Sequence, residues 1–328
     1  VDIGGESRQE RYDYLLLATG SQPGYFGNDQ FREHSFDLRT LDDAVSLRNH
    51  ILRSFETALW TGDSDLQEAL TNFVIIGGGP TGLETAGALF ELFNHTFEGE
   101  YKRPDRIQAR VHLVEMAPQL LGTYPDTLQE AALDQITSLG VNVILNNGVK
   151  NIQEDCVVLQ DGLKIPSQTV IWAAGVTGSS PAGLNQPGKN HNNQIEIEPD
   201  LRAAGYQNIF AVGDTAYLPR EGQKPYPMMI PVAQQQGILA AQNILRDIQG
   251  QKRKNFEYHD RGIMATIGRS RAVAWIFNRI PLSGFPAWLA WLLLHLMTLI
   301  GFRNKLVVFI NWVWNYFTYD RSVRIILD

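Results

Sequence analysis

Two periods alternate along the chain. Phe73-Val74-Ile75-Ile76 is a continuous apolar run that stops at Gly77-Gly78-Gly79, which predicts a strand buried on both faces. Pro80 then opens a helix to about Phe93, where its missing N–H costs nothing. Val111 to Glu115, Val141 to Leu145, Cys156 to Leu159 and Gln168 to Ala173 repeat the strand signal, and Leu128 to Leu139 has the helical period, closed by Gly140. Upstream, Tyr12 to Ala18 reads as a strand and Phe36 to Phe55 as a helix, with Thr40 or Asp42 as cap. The first ten residues read as a strand end and a polar hairpin tip, Thr61 to Ser64 as a linker, and Asn94 to Ala109 as a polar insertion. Further on, Asn208 to Asp214 is a strand, Pro227 to Leu245 a loop that becomes a helix, and Gly262 to Trp275 a strand pair. The alternation predicts an α/β fold with two Rossmann-like dinucleotide-binding domains, the first incomplete, and a C-terminal α/β extension. The expected bounds are 1–71 and 177–255 for the first domain, 72–176 for the second and 256–328 for the extension.

Gly77, Gly79 and Gly82 fit G-x-G-x-x-G, with a strand before and a helix after. The first glycine allows the tight turn, the second lets backbone approach a pyrophosphate, and the third lets helix and strand pack closely. Gly78, Pro80 and Thr81 complete the loop, and the helix N-terminus favours the phosphates. Glu115 ends the next strand, where an acid bonds the ribose 2′-hydroxyl. Its charge repels a 2′-phosphate, and MAPQLL after it offers no Arg, so NADH is expected over NADPH. The plainer readings are a glycine-rich turn and a solvated Glu. Two strands close alike, at Ala18-Thr19-Gly20 and at Ala173-Ala174-Gly175, yet only one glycine loop is present. The expectation is that the other loop precedes Val1.

Composition narrows the classes. The 328 residues are 44% hydrophobic and 19% charged, a globular balance, and the net charge of -7 argues against a nucleic-acid partner. Cys156 is the one cysteine, so neither an internal disulfide, a CxxC redox pair nor a multi-Cys zinc site is expected. No metal is expected. From Arg261 onward there are eight Lys/Arg against two Asp/Glu, a cue for an acidic partner surface, a membrane among the options.

The end of the chain is different material. Phe285 to Phe302, FPAWLAWLLLHLMTLIGF, carries one His and no charge, and Arg303 and Lys305 follow. As a straight helix its 18 residues extend about 27 Å, at the short edge of a bilayer span. Pro286, His295, the flanking bases and the tryptophans favour a helix lying in the membrane interface over a buried dimer helix or a true span.

YDYLLLATGS, FVIIGGGPTGLETAG, VHLVE, WAAGV, NIFAVGD, PVAQQQG and the tail GIMATIGRSRAV…FRNKL occur in this order over essentially the whole chain. In them the sequence resembles the type II, non-proton-pumping NADH:quinone oxidoreductases, peripheral flavoproteins of respiratory membranes. The resemblance implies FAD and NADH as cofactors, a membrane quinone as electron acceptor, a homodimer, and attachment of the tail to an anionic membrane on its reducing, cytoplasmic or matrix-like side. It implies that Gly77, Gly78, Gly79, Pro80, Thr81, Gly82, Glu115, Ala174 and Gly175 hold NADH. It implies that Ala18, Thr19, Gly20, Gly213, Asp214, Pro231, Val232 and Ala233 hold FAD, and that Glu84, Gln235 and Gln236 act where nicotinamide, flavin and quinone meet. Pro231 stands where the family commonly has Gln in A-Q-x-A-x-Q-Q. Two other readings of the residues are a soluble NADH-dependent flavoprotein serving a ferredoxin-like or small-molecule acceptor, and a non-catalytic NADH-binding redox sensor.

Overall fold

The computed structural model describes residues 9–97, 108–184 and 192–318. The expected strand end at residues 1–8 and most of the polar insertion, 98–107, lie outside the described residues. Two compact units form, one from residues 1–24 and 176–260, the other from 25–175 and 261–328.

The second unit holds the glycine loop. Its sheet runs Asn142–Ile144, Arg110–Val114, Asn72–Ile76, Thr169–Trp172, with all neighbours parallel. Every residue of Asn72–Ile76 and of Thr169–Trp172 is buried, as in a parallel sheet covered on both faces. The helices Pro80–Glu91 and Asp126–Leu139 cover one face, with Phe73, Ile75, Leu83, Leu113 and Ile136 in their core. The antiparallel meander Val149–Ile152, Cys156–Leu159, Lys164–Pro166 belongs to a second core with Val74, Ile76 and Trp172.

Residues 25–71 depart from the expected boundary near Asn72. The helix Leu41–Trp60, opened by a Thr40/Asp43 capping box, buries Leu47, Ile51 and Phe55 in the same core as Phe73. Phe55 stacks on Phe73 at 5.8 Å. An aromatic contact of this kind assigns the segment to the glycine-loop unit, which sequence periodicity alone does not show. The expected linker is in part a cap: Asp63 accepts from the N–H groups of Asp65 and Leu66 and starts a further helix, Ser64–Thr71.

The extension also belongs to this unit. A third strand, Ile280–Ser283, joins the expected pair Gly262–Gly268 and Arg271–Ile276. Ala86, Gly87 and Ala88 are small residues that suit close packing on the parallel sheet, but Gly87 meets the extension instead. A methyl group on Gly87 would fall inside the van der Waals shell of Ile267 O, so the helix and the tail strand touch backbone to backbone. The tail run breaks at Leu299 into helices Phe285–Thr298 and Phe302–Thr318. Among the described residues no helix is long and apolar enough to cross a membrane. Fourteen residues extend only about 21 Å.

In the first unit, Leu15–Leu17 runs parallel to Ile209–Ala211, Ser21–Pro23 antiparallel to Val176–Gly178, and Ile195–Glu196 parallel to Ala216–Tyr217. The helix Ile230–Ile248 packs Val232 and Ala240 into a core with Phe210 and Leu201. The expected strand Tyr12 to Ala18 is shorter than its apolar pattern, since only Leu15–Leu17 finds a ladder partner.

Because the Gly87 contact is backbone on backbone, neither side can yield by a rotamer change. Gly87→Ala is expected to lower unfolding stability by about 1–3 kcal/mol, the cost of overpacking, read from urea unfolding midpoints at unchanged slope.

Candidate functional site

The glycine loop is held from three sides. Gly77 has φ 110°, donates its N–H to Val114 O at 2.8 Å, and a methyl there would lie 2.6 Å from Ala173 O and Ala174 Cα. Only glycine takes this conformation at this contact. A methyl on Gly82 would overlap Gly77 O, which keeps the helix start tight against the turn. Gly78 donates to Glu115 Oε2 at 2.5 Å, and its carbonyl accepts from Leu121 N–H at 2.9 Å. Gly79 differs: nothing lies within 4 Å of where its Cβ would be. It is the cap of the helix Pro80–Glu91, without a side-chain capping bond. The loop therefore presents open backbone and a helix N-terminus at one point, the arrangement that receives a pyrophosphate. Thr81 is exposed beside it, while Ala174 and Gly175 continue from the neighbouring strand Thr169–Trp172.

Glu115 does more than end its strand. Its second oxygen, Oε1, accepts from Ala117 N–H at 2.7 Å. The carboxylate thus pins the loop at Gly78 and its own turn at Ala117. Each oxygen keeps acceptor capacity for a ribose hydroxyl.

Glu84, one turn into the helix, is half-buried. Its Oε1 accepts the Thr266 N–H from the tail strand at 3.1 Å. Burial raises its pKa; the Thr266 hydrogen bonds and the nearby His295 charge offset part of that rise. Tyr124 is buried alongside, its phenol pushed above the ordinary range by burial and then by the Glu84 charge.

In the first unit, Ala18-Thr19-Gly20 follows the strand Leu15–Leu17, and Thr19 Oγ1 donates to Thr215 Oγ1 at 3.2 Å. Gly213 has φ 72°, and a methyl there would stand 3.2 Å from Ala233 Cβ. Ser21 Oγ donates to Asp214 Oδ2 at 2.6 Å, which fixes the carboxylate. Gln194, buried, donates to the carbonyls of Asp214 and Ala216. Pro231, Val232 and Ala233 form the first turn of the helix Ile230–Ile248. Gln236 is buried and accepts the Gly213 N–H at 2.7 Å. Gln235 exchanges two hydrogen bonds with the His259 backbone, at 3.0 and 2.9 Å. Both glutamine oxygens are thus committed to backbone N–H groups. The turn at Gly213, without a side chain where the helix comes close through Ala233, and the oriented Asp214 carboxylate fit the polar chain of a flavin cofactor. Ser21, Gln194, Thr266 and Tyr124 were not foreseen. The Ser next to Ala18-Thr19-Gly20 was the one with a legible signal, a hydroxyl directly after a strand-closing turn.

Residues 1–237 match the family profile described as pyridine nucleotide-disulphide oxidoreductase. The chain is 34% identical over 342 residues to "Type II NADH:quinone oxidoreductase Ndh" of Mycobacterium tuberculosis, covering 100% of this chain and 72% of that protein. The chain belongs to the type II NADH:quinone oxidoreductase family. It is an oxidoreductase of the FAD- and NADH-dependent kind. It is also 29% identical over 331 residues to "Internal alternative NAD(P)H-ubiquinone oxidoreductase A1, mitochondrial" of Arabidopsis thaliana, covering 95% of this chain and 64% of that one. It thus spans 64–72% of the length of these relatives. In fold it matches the structure of NDH2 from Plasmodium falciparum in complex with NADH, with TM-score 0.88 and 18% identity, over 100% of this chain and 82% of that one. The α/β architecture expected from the sequence is this fold.

Two outcomes follow from the loop and from Glu84. Glu115→Ala removes a charged acceptor from Gly78 and Ala117, so KM for NADH is expected to rise about 10- to 100-fold, with a smaller change for NADPH; steady-state kinetics with both nucleotides reads this. The raised pKa of Glu84 means the folded state holds its proton more tightly than the unfolded chain. Its stabilising contribution is complete below the unfolded value near about 4.3 and is lost as pH rises through the folded value. The melting temperature of the wild type relative to Glu84→Gln is therefore expected to fall from acid to neutral pH.

Proposed function

We propose that this protein passes a hydride equivalent from NADH, through FAD, to a membrane quinone without pumping protons, as a peripheral enzyme of a respiratory chain. The observation that carries this is the loop whose one open position is Gly79, at a helix N-terminus, with Glu115 pinned at its edge. Gly77, Gly78, Gly79, Pro80, Thr81 and Gly82 cradle the NADH pyrophosphate, Glu115 takes the adenosine ribose, and Ala174 and Gly175 border the bound nucleotide. Ala18, Thr19, Gly20, Gly213 and Asp214 would hold the flavin's polar chain, and the helix start Pro231-Val232-Ala233 would border the cofactor. Bound FAD supplies the ring that accepts hydride and releases two electrons. Glu84 sits at the nicotinamide side as a carboxyl whose pKa is raised by burial. Gln236 fixes the Gly213 turn, and Gln235 holds the segment at His259, so both act by orienting backbone. The relatives' printed names, NADH:quinone and NAD(P)H-ubiquinone oxidoreductases, support the acceptor class.

The tail supports a membrane as the second partner. The turn between its helices exposes Ile300 by 89%, Phe302 at the start of the second helix is exposed by 80%, and Leu293, Leu294, Met297, Phe309 and Ile310 of the two helices are exposed as well. Lys305 Nζ caps the Met297 carbonyl at 2.8 Å. Apolar side chains tipped by Arg303 and Lys305 suit an interface with anionic headgroups. A homodimer is part of the same reading, tested by sedimentation equilibrium in detergent.

The deciding experiment supplies FAD, NADH and a short-chain quinone to the protein, with and without anionic liposomes. NADH oxidation with quinol formation is expected. Ile300→Asp with Phe302→Asp is expected to abolish co-sedimentation with liposomes while soluble-quinone turnover persists. Turnover with no liposome binding by the wild type favours the soluble-reductase reading, and nucleotide binding with no turnover favours a sensor.

A further inference from the structure

The short turn Gly213–Thr215 carries Asp214, and three segments distant in sequence hold it. Thr19 Oγ1 donates to Thr215 Oγ1 and Ser21 Oγ to Asp214 Oδ2, while the Gly213 N–H donates to Gln236 Oε1. The third segment brings Gln194. Its Nε2 donates to the Asp214 carbonyl at 2.9 Å and to the Ala216 carbonyl at 3.2 Å. An amide nitrogen has two hydrogens, one for each carbonyl, so Gln194 spans the turn from Asp214 to the residue that leaves it. Gln194 is 5% exposed and Ala216 8%. A carbonyl left without a donor in such a place carries its full desolvation cost. Gln194 is itself placed by the strand Val176–Gly178. Asn193, at φ 53°, donates from Nδ2 to the Gly178 carbonyl at 2.9 Å, and Ser180 Oγ donates to Asn193 O at 2.7 Å. A methyl on Gly178 would stand 2.8 Å from Gln194 Cγ, and the ladder partner of Gly178 is Ser21. The two side chains gathered at Gly178 thus take Asp214 at its carboxylate and at its carbonyl.

We propose that Gln194 is a positioning residue for the flavin: by holding the Asp214 and Ala216 carbonyls it keeps the Asp214 carboxylate where the cofactor's polar chain meets it. The proposal rests on the reading of Gly213 and Asp214 as part of the FAD site. The bond from Ser21 fixes one carboxylate oxygen but not the backbone that carries it. With the carbonyl held as well, Asp214 is fixed at both ends, and the cofactor meets a site already ordered. Such order raises affinity, because freedom lost on folding is not lost again on binding. The amide is neutral, so it orients the turn without adding charge beside the Asp214 carboxylate. Gln194 acts through Asp214 and is not itself placed against the cofactor. The glycine loop belongs to the other unit and takes no part in this hydrogen bonding.

The test titrates FAD into the cofactor-free full chain and reads its dissociation constant by equilibrium dialysis. For Gln194→Met, close in volume and without a donor, that constant is expected to rise about tenfold or more, the size of a lost buried hydrogen-bond partner. The dissociation constant for NADH, which reads the glycine loop in the other unit, is expected to stay at the wild-type value. Saturating FAD is expected to restore NADH oxidation with KM for NADH unchanged, since the fault lies in seating the flavin. Gln194→Asn, whose amide falls one methylene short of the carbonyls, adds no apolar group and is expected to weaken FAD in the same direction. An FAD constant unchanged in both variants overturns the proposal. So does a parallel rise of the FAD and NADH constants, which marks a general loosening of the chain. Asp214→Ala separates the two layers of the argument. If it binds FAD as the wild type does, the reading of this turn as a flavin seat falls, and the proposal with it. If it loses FAD while both Gln194 variants keep it, the seat stands and the role of Gln194 alone is overturned.

Discussion

The helix Pro80–Glu91 has no spare room at two glycines, and most of the second unit depends on that. Gly82 lets it start against Gly77 O, and Gly87 lets it lie on Ile267 O. The two contacts bind opposite concerns: the first shapes a nucleotide loop, the second locks on the tail. Glu84 sits between them in sequence and bonds to Thr266 on the tail strand. Neighbouring packing is dense, so a shift of this helix would be felt at both ends. Glycine costs helix stability of about 1 kcal/mol relative to alanine, and here that cost is offset by approaches no other residue permits.

Glu115 shows how one side chain that fixes structure is also preorganised for a ligand. A carboxylate accepting two backbone N–H groups is a rigid object, and it is anchored to the loop whose ligand it would select. A preorganised acceptor avoids the ordering cost that a free surface Glu would incur on binding. The same economy appears in the first unit, where Ser21 fixes Asp214 and Gln236 fixes Gly213. In both units the fixing partner is distant in sequence, joined only by the fold.

That distance explains what was legible in the chain. The strand Phe73 to Ile76, the glycine loop and the helix after it are local patterns with steric reasons, so residue types alone reveal them. Gly87 is also visible as a small residue in a helix, but its partner is not, because periodicity names a face and not what covers it. Residues 25–71 went to the wrong neighbour for a like reason: Phe55 against Phe73 is a long-range aromatic choice. The helix Ser64–Thr71 overlaps the expected linker Thr61 to Ser64 and carries no signal of its own, since eight residues are too few for the helical period to register. The single run Phe285 to Phe302 hid a break at Leu299, where uninterrupted hydrophobicity gave no signal and Gly301, at φ 84°, carried the turn.

The tail joins these threads. Its strands contribute Ala265, Ile267 and Val273 to the core that also holds Phe73 and Leu83, so it is a covering layer of the nucleotide unit and not an appendage. Among the described side chains of its helices, in contrast, Ala287 is the buried one. A layer that is welded to the glycine-loop helix on one side and apolar and exposed on the other is a physical link between nucleotide chemistry and whatever surface receives it. A flexible tether would bring the unit to a membrane equally well, but it would not carry a fixed hydrogen bond to Glu84. The bond from Thr266 therefore argues that the tail strands orient Glu84 as well as cover its helix.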